Sequence, residues 1–485
     1  MSVTPYSTAA ELARALGDGE ASSVELTEAA IARIEALNGP INAICVKTYA
    51  RARKAARAAD ARLAQGERGA LLGVPTTLKE SYNLTATPTT WGFPAARDFV
   101  PQANSLAASR LEQAGAVIIG KTNVPVGLGD WQSYNDIYGV TNNPYDLGRS
   151  PGGSSGGSAA ALAAGFGALS LGSDICGSLR VPAHFCGVCA HKPTFDLCPP
   201  RGHTPPGVTP LPGGIDLSVI GPMARSAEDL AALLDVIAGP DELDSGVGYR
   251  LALPPARADD FAGFRVLVLG CHPLVDTEAC VAEAMATLTG RLERAGAKVA
   301  RSSGLVPDLT AGARLYVHLL MAAFSARWAD DVYAPVAETA AKLDADDHSL
   351  AAEQARGATM SYRAWSAANA QRNGVRAQWR TLFKDFDAVI TPVTPTPAFP
   401  HDHEPDHAKR KLLINGAPQD YFSNVLWPGV ATMPGLPATA LPVARSPEGL
   451  PIGAQIIGPW LEDRTPLKLA QLIERAFGGF VPPKL

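Results

Sequence analysis

The first part of the chain carries its apolar residues at helical spacing. Thr8 is followed three residues later by Glu11. Ser22 and Glu25 repeat this spacing. Each pair has the form of a capping box, and each precedes a run of apolar positions with the period of an α-helix. We therefore predict an N-terminal helical segment over residues 1–65.

Beyond residue 70, short apolar runs alternate with helix-like segments and with Gly/Pro punctuation. The apolar run 116–119 follows the helix-like segment 105–114, and the run 264–269 precedes the helical pattern of 277–295. Strands that alternate with helices are typical of α/β proteins. We predict an α/β fold with a large mixed, mostly parallel central sheet that is flanked by helices.

A second helix-rich stretch covers about residues 310–380 and contains a cluster of aromatic residues. These are Tyr316, Phe324, Trp328, Tyr333, Tyr362 and Trp365. Aromatic side chains usually pack in a core, but here they would also suit a helical cap over a substrate cavity, or a dimer face. No repeat or flexible linker divides the sequence. We predict one domain over 1–485, with a catalytic core at 66–240 and a cap or insertion at 310–380.

Charge and composition exclude several classes of protein. The 485 residues carry a net charge of −5, which provides no basic face for nucleic acid. We see neither a signal peptide nor an apolar run of membrane-spanning length. Seven cysteines, an odd number without a secretion signal, indicate reduced thiols. We expect a cytoplasmic monomer or homodimer that binds a small molecule and neither nucleic acid nor a membrane.

Metal binding is not expected either. Cys186 and Cys189 have the spacing of a redox or zinc pair, but no second pair completes a site. His401, His403 and His407 lie in a polar, proline-flanked segment that is typical of solvated surface. We therefore expect no metal and no cofactor.

Residues 150–158, SPGGSSGGS, are the most informative stretch. A flexible linker and a phosphate cradle at a helix N-terminus are two explanations for such a run. No Gly-Lys-Ser/Thr follows, as a P-loop would need. Instead an alanine-rich, strongly helix-forming segment begins at residue 159. The pattern indicates a loop whose backbone must come close to another part of the molecule, followed by a buried helix.

Residues 172–183, GSDICGSLRVPA, place Ser178 directly after Gly177. Consecutive backbone N–H groups around a serine suit an oxyanion hole, because they direct donors without side-chain entropy. The nearest histidine, His184, is only six residues further along, so the local pattern does not support a Ser-His-Asp triad.

Together these two segments resemble the amidase signature, which names a family of serine hydrolases. Further segments resemble other landmarks of that family, in the same order along nearly the whole chain. They are 72–79 (LGVPTTLK), 120–125 (GKTNVP), 141–145 (TNNPY), 186–188 (CGV), 192–194 (KPT), 391–392 (TP), 434–437 (PGLP) and 449–455 (GLPIGAQ).

The resemblance implies a Ser–Ser–Lys triad. Lys79 would be the base, Ser154 the bridging serine and Ser178 the acyl-forming nucleophile. A lysine acts as a base only when it is neutral, and burial favours the neutral form. The resemblance also implies a cis peptide bond at Gly153–Ser154, with the Ser154 hydroxyl within reach of both Lys79 and Ser178.

Further roles follow from the same resemblance. The backbone amides of Ile175, Cys176, Gly177 and Ser178 would form the oxyanion hole. Ser155, Asp174 and Arg180 would support that loop, and Gly127, Leu128, Gly129 and Trp131 would line the substrate pocket. Two positions differ from most relatives: Cys176 replaces glycine and Glu80 replaces aspartate. We expect an ordinary, negative φ at Cys176.

The implied activity is hydrolysis of the C–N acyl bond of a carboxamide, an anilide or a carbamate (urethane) through an acyl-enzyme. The resemblance also implies a side activity on esters, and it leaves several leaving groups open. An alternative is the glutaminase subunit of a tRNA-dependent amidotransferase, which usually has Gln after the arginine that Val181 follows here. A non-catalytic binding protein on the same scaffold is another alternative.

Overall fold

The computed structural model describes residues 3–485. Its helices are α1 (Ala9–Gly17), α2 (Ser23–Ile41), α3 (Tyr49–Ala64), α4 (Leu106–Gln113), α5 (Gly156–Ala163), α6 (Arg180–Phe185), α7 (Ala227–Ile237), α8 (Ala279–Arg294), α9 (Leu309–Ser325), α10 (Asp330–Ala341), α11 (Leu350–Ala358), α12 (Tyr362–Asp385), α13 (Leu426–Thr432) and α14 (Arg464–Phe477). The two predicted capping boxes are present: Thr8 caps α1 and Ser22 caps α2.

The strands connect these helices along the whole chain. They are β1 (Ile44–Lys47), β2 (Pro75–Lys79), β3 (Val117–Thr122), β4 (Tyr134–Asn135), β5 (Gly139–Val140), β6 (Leu169–Asp174), β7 (Cys189–Lys192), β8 (Val219–Ala224), β9 (Arg265–Val268), β10 (Lys298–Ala300), β11 (Ala388–Pro392), β12 (Lys411–Ile414), β13 (Ala417–Asp420), β14 (Ala438–Arg445) and β15 (Pro451–Ile457).

Eleven of the strands in the described chain form one sheet, in the order β1-β3-β2-β6-β8-β7-β14-β15-β11-β9-β10. The mixed sheet flanked by helices confirms the predicted class, but the expectation that it is mostly parallel is wrong. Only β3-β2, β2-β6, β11-β9 and β9-β10 are parallel neighbours. The antiparallel strands lie mainly in the centre, where β14 and β15 form a hairpin and no helix separates β7 from β8. Parallel pairing needs a crossover connection of a dozen or more residues, which the short link over 446–450 between β14 and β15 does not provide.

The sheet brings the two chemically important segments together. β2 and β6 are parallel neighbours, so their carboxyl ends lie at the same edge. β2 ends at Lys79 and β6 ends at Asp174. The small-residue helix α5 packs against both strands, and all of its residues are buried.

The glycine run before α5 is explained by close backbone packing. A Cβ at Gly153 would lie 2.7 Å from the amide nitrogen of Gln132, and one at Gly157 would lie 2.5 Å from the amide nitrogen of Asn123. Distances this short exclude any side chain at the two positions. The loop therefore approaches neighbouring backbone as the sequence predicted.

The region 310–380 forms α9–α12, and α9 packs against α11, α12 and α13. Within the described residues, no helix combines the length and the apolar character that crossing a lipid bilayer requires.

Candidate active site

Lys79 lies at the carboxyl end of β2 with its side chain fully buried. Its Nζ donates hydrogen bonds to Ser154 Oγ, at 2.7 Å, and to Ser173 Oγ, at 2.9 Å. Both acceptors are hydroxyl groups rather than carboxylates, so the amine has no direct ion-pair partner within hydrogen-bonding distance among the described residues. This arrangement joins β2, the loop before α5 and the end of β6 at one nitrogen atom.

Burial lowers the pKa of Lys79 well below the ordinary lysine value, because the charged ammonium loses its hydration. The negative charge of Asp174 opposes this effect without reversing it. A lowered pKa increases the share of neutral amine, and only the neutral amine can accept a proton.

Ser154 follows a cis peptide bond at Gly153–Ser154, as the resemblance predicted. Its hydroxyl accepts the hydrogen bond from Lys79. The expected second hydrogen bond, between the hydroxyls of Ser154 and Ser178, is not formed in the described chain, where the Ser154 hydroxyl contacts Lys79. Catalytic hydrogen bonds of unliganded enzymes are often long and shorten when substrate binds. The geometry thus brings Lys79 and Ser154 together, with the nucleophile candidate nearby.

Ser178 occupies the turn between β6 and α6 and is 4% exposed. The turn is held to the glycine-rich loop, because the Ser155 N–H donates to the carbonyl oxygen of Ser178 at 3.2 Å. Among the described residues, no hydrogen-bond acceptor takes the N–H groups of Ile175, Cys176 and Ser178. These three amides are available to a ligand.

Gly177 differs from the sequence expectation. Its N–H donates to Asp174 Oδ1 at 2.8 Å, so it is already occupied and is not a free member of the predicted set of four amides. Its φ is +90°, in the left-handed region that favours glycine. Cys176 lies outside the positive-φ region, as expected. Burial raises the pKa of the Cys176 thiol, which keeps it protonated.

Asp174 and Arg180 form an ion pair with both side chains fully buried. The guanidinium donates to each carboxylate oxygen of Asp174 at 2.9 Å, and its remaining donors reach the carbonyl of Pro428, Gln455 and Thr432. Burial alone would raise the pKa of Asp174, but the Arg180 charge and hydrogen bonds hold it below its usual range. The pair anchors the Ser178 turn to α13 and β15.

Ser173 is a polar contact of Lys79 that the sequence analysis missed. It is the residue immediately before Asp174, and its N–H and carbonyl both bond the Ser155 hydroxyl at 3.3 Å. These contacts place Ser155, for which a supporting role was predicted, against the end of β6. No local pattern indicated the contact with Lys79, because it depends on the pairing of β2 with β6.

Glu80, the other unusual position, braces the segment that follows β2. Its carboxylate accepts hydrogen bonds from the backbone N–H groups of Thr90, at 2.5 Å, and Trp91, at 3.0 Å. The Tyr138 hydroxyl donates to the same carboxylate at 3.2 Å. Glu80 is fully buried, so this contact holds the chain that follows Lys79 in one position.

A cavity of about 220 Å³ opens beside Ser178. Its lining is mainly apolar and aromatic, with a few polar side chains. It consists of Leu128, Gly129, Asp130, Trp131, Ile175, Cys176, Ser178, Met321, Phe324, Ala351, Gln354, His407, Ala408, Asp420, Tyr421 and Phe422. Leu128, Gly129 and Trp131 of the predicted pocket segment belong to it. Gly127 does not, because it lies against the ring of Phe93.

The region 310–380 contributes one wall of this cavity. Met321 and Phe324 come from α9, and Ala351 and Gln354 come from α11. Of the aromatic residues noted in this region, only Phe324 lines the cavity, while Tyr362 is 81% exposed. The region thus faces Ser178, as a cap over the site would.

The cysteine pair with the spacing of a redox or zinc site lies in the protein interior. Cys186 and Cys189 are both buried free thiols. Within residues 3–485, no three His, Cys, Asp or Glu side chains are arranged to hold a metal ion.

Comparison with known protein families shows which family this chain belongs to. A family model described as Amidase matches residues 25–467. The chain belongs to the amidase family. This amidase-family protein therefore belongs to the family that the motifs around Lys79, Ser154 and Ser178 implied.

Curated relatives and solved structures resemble the whole chain. A glutamyl-tRNA(Gln) amidotransferase subunit of Deinococcus radiodurans is 34% identical, over 97% of this chain and 97% of that protein. The indoleacetamide hydrolase of Bradyrhizobium diazoefficiens is 31% identical, over 97% of this chain and 86% of that protein. A solved structure described as revealing the evolutionary origins of an s-triazine catabolic enzyme has a TM-score of 0.82 and 29% identity, covering 98% of this chain and 99% of that chain.

Proposed function

We propose that this amidase-family protein hydrolyses the C–N acyl bond of neutral carboxamides or carbamates, with Ser178 as nucleophile, Ser154 as proton relay and Lys79 as base. The observation that carries the proposal is the buried Lys79 amine, hydrogen-bonded to Ser154 beside the cavity that contains Ser178. Family membership supports an amide-hydrolysing enzyme, and the contacts of the site support the roles of these three residues.

In the first half of the reaction, Ser178 Oγ attacks the carbonyl carbon. Its proton passes to Ser154 Oγ, and the Ser154 proton passes to the neutral Lys79 amine. The free N–H groups of the turn would stabilise the negative oxygen that forms, since fixed donors act without reorganisation. Lys79 then returns the proton through Ser154 to the substrate nitrogen, and the C–N bond breaks as a neutral amine leaves.

In the second half, water attacks the acyl ester on Ser178. Ser154 takes the proton of that water while its own proton passes to Lys79. The proton then returns from Lys79 through Ser154 to Ser178 Oγ as the tetrahedral intermediate collapses, which releases the acid and the Ser178 hydroxyl. Asp174 and Arg180 take no part in proton transfer. Their buried ion pair holds the turn in place while its amides bind the oxyanion.

The cavity lining favours an apolar or aromatic acyl group. Trp131, Phe324 and Phe422 supply aromatic walls. None of its lining residues, all of which lie in the described part of the chain, is an arginine or a lysine. An anionic group entering the cavity would lose its hydration without a lysine or arginine of the lining to compensate.

A second candidate is the glutaminase subunit of a tRNA-dependent amidotransferase. The observation in its favour is the 34% identity to the amidotransferase subunit of D. radiodurans. Free glutamine carries an α-carboxylate and an α-ammonium group, and the cavity offers the carboxylate no lysine or arginine. Val181 also occupies the position where that subunit usually has glutamine. We therefore favour the apolar amide.

The test uses three chromogenic substrates. Two are the para-nitroanilide and the para-nitrophenyl ester of one aromatic acid, and the third is a benzyl N-(4-nitrophenyl)carbamate, whose C–N cleavage releases para-nitroaniline. Ammonia release from free glutamine is measured in parallel. We expect turnover of the anilide or the carbamate that Ser178→Ala abolishes.

A matched serine variant controls for general damage. Ser170→Ala removes a buried hydroxyl that has no hydrogen-bond partner in the described structure, and we expect it to keep wild-type rates. Ammonia release from glutamine without turnover of any aromatic substrate would favour the amidotransferase subunit. Equal turnover by Ser178→Ala and the wild type would exclude Ser178 as the nucleophile.

A further inference from the structure

We propose that Tyr316 of α9 is a positioning residue for hydrolysis, because its hydroxyl fixes the peptide that presents the Cys176 N–H to the oxyanion. This inference rests on the proposed function. It assigns a role in the chemical step to a residue of the cap that does not line the substrate cavity.

The Tyr316 side chain is rigidly placed. It is fully buried, and its hydroxyl donates to the carbonyl oxygen of Ile175 at 2.6 Å. The ring packs directly on α13, where a Cβ at Gly429 would lie 2.7 Å from a ring carbon. Close packing on one side and a short hydrogen bond at the other end leave the ring little freedom to move.

Because the peptide bond is planar, the contact at the Ile175 carbonyl also fixes the direction of the Cys176 N–H. The carbonyl of Ile175 and the N–H of Cys176 belong to the same trans peptide, so they point in opposite directions. With the carbonyl fixed on Tyr316, the Cys176 N–H must point away from Tyr316. No acceptor among the described residues takes that N–H, while Cys176 itself lines the cavity with Ser178.

The next two peptides of the turn follow the same rule. The carbonyl of Cys176 accepts from Trp131 Nε1 at 2.9 Å, and the N–H of Gly177 accordingly points to Asp174 Oδ1, at 2.8 Å. The carbonyl of Gly177 accepts from the Val181 N–H at 2.7 Å, and the Ser178 N–H meets no acceptor in the described chain. Each of the three peptides is thus held by its carbonyl.

Among these three carbonyl contacts, only the one from Tyr316 originates in the cap. The same helix supplies Met321 and Phe324 to the cavity wall. The position of α9 therefore determines both the shape of the pocket and the orientation of the Cys176 N–H. Because Tyr316 does not touch the cavity, its loss should affect the transition state and leave the binding of substrate almost unchanged.

The decisive variant is Tyr316→Phe, which removes the hydroxyl and keeps the ring that packs on Gly429. Tyr145→Phe is the matched control, since the Tyr145 hydroxyl also donates to a backbone carbonyl, that of Val481, at 2.5 Å. The assays are kcat and KM on the reporter anilide and the inhibition constant of an aryl boronic acid, whose tetrahedral adduct with Ser178 mimics the oxyanion.

Loss of a whole oxyanion donor costs about 10²–10³-fold in kcat, so loss of its orientation should cost roughly 10–100-fold. We expect Tyr316→Phe to lower kcat by that factor and to raise the inhibition constant of the boronic acid by a similar factor. KM should stay within about twofold of the wild-type value. Replacing Tyr316 by para-aminophenylalanine, which retains an N–H donor at the same place, should restore much of kcat. Tyr145→Phe should match the wild type.

The outcomes separate this inference from the proposed function. Wild-type kcat and boronic acid affinity in Tyr316→Phe would overturn the inference while the proposed function stood. A rise in KM without a change in kcat would also overturn it, because that result would indicate that Tyr316 acts on substrate binding. If the wild type hydrolysed no substrate, the rate at which a fluorophosphonate labels Ser178 would still test Tyr316: a slower rate in Tyr316→Phe supports the inference, and an equal rate or no labelling of the wild type overturns it.

Discussion

Replacing Arg180 by methionine would leave the Asp174 carboxylate buried without its counter-charge. Both side chains of this pair are fully buried, and the guanidinium reaches both carboxylate oxygens at 2.9 Å. Removing one member of a buried ion pair costs about 3–5 kcal/mol. With an unfolding entropy of ~2.1 cal/mol/K per residue over 485 residues, the midpoint of thermal unfolding should fall by about 3–5 °C.

The destabilisation should depend on pH in a defined direction. In the wild type the pKa of Asp174 lies below its usual value, so the pair stabilises the fold above the ordinary carboxyl range and loses that contribution as pH falls through the lowered pKa. Without Arg180, burial becomes the dominant effect and raises the pKa of Asp174. The variant can then protonate Asp174 as pH falls, and its deficit relative to the wild type should shrink between neutral pH and about pH 4.

Thermal unfolding followed by circular dichroism at several pH values is the assay. Arg464→Met is the matched control, because Arg464 and Asp235 form an ion pair of which both side chains are about half exposed, and such pairs contribute little. The double variant Asp174→Asn/Arg180→Met removes both charges and should recover part of the lost stability. A double variant no more stable than Arg180→Met would refute the reasoning from an uncompensated charge.

Three further predictions concern the reaction. Lys79→Ala should lower amide turnover by about 10⁴-fold or more. Ester turnover should fall much less, since an alkoxide or phenoxide can leave without being protonated more easily than an amine can. Equal losses in kcat for both substrates would contradict the role of Lys79. In the wild type, kcat/KM for the amide should rise with pH through the lowered pKa of Lys79, so a pH profile whose acid limb lies near 10.5, the free lysine value, would count against a buried base. Phe324→Ala should raise KM for the aromatic anilide by roughly 10-fold, consistent with the loss of a buried aromatic contact. KM for a small aliphatic amide should change little. An anilide KM equal to that of the wild type would show that this wall does not contact the acyl group.

The parts of the molecule that could be predicted from sequence depend on local patterns. The capping boxes at Thr8 and Ser22 lie within four residues of their partners, and both helices begin where predicted. The glycine run before α5 indicated close backbone packing, which the short distances at Gly153 explain. Strand-helix alternation gave the α/β class correctly, but it could not reveal the hairpin pairing at the centre of the sheet.

The parts that could not be predicted depend on contacts between distant segments. Ser173 meets Lys79 only because β2 and β6 are neighbours in the sheet. The N–H of Gly177 is occupied because Asp174 folds back on its own turn. Tyr316 belongs to a cluster of aromatics that the sequence could assign equally to a core or to a cap, and no spacing rule connects it with Ile175, 141 residues away.

This division between local and distant contacts has a chemical counterpart. The segments that would carry out proton transfer lie between residues 79 and 178. Lys79 ends β2, while Ser154 and Ser178 lie beside glycines whose backbone tolerates almost no added atom. The cavity wall comes largely from residues 321–422, where side chains of α9, α11 and the segment before α13 meet Ser178 across open space. Changes in that wall alter volume and polarity without touching Lys79 or Ser154. One catalytic arrangement can therefore serve many acyl groups. The motifs thus indicate the reaction, while the substrate depends largely on the distant part of the wall, together with Trp131 and its neighbours. Tyr316 is the exception, because it connects the wall to the oxyanion turn and makes the rate depend on how the cap is seated.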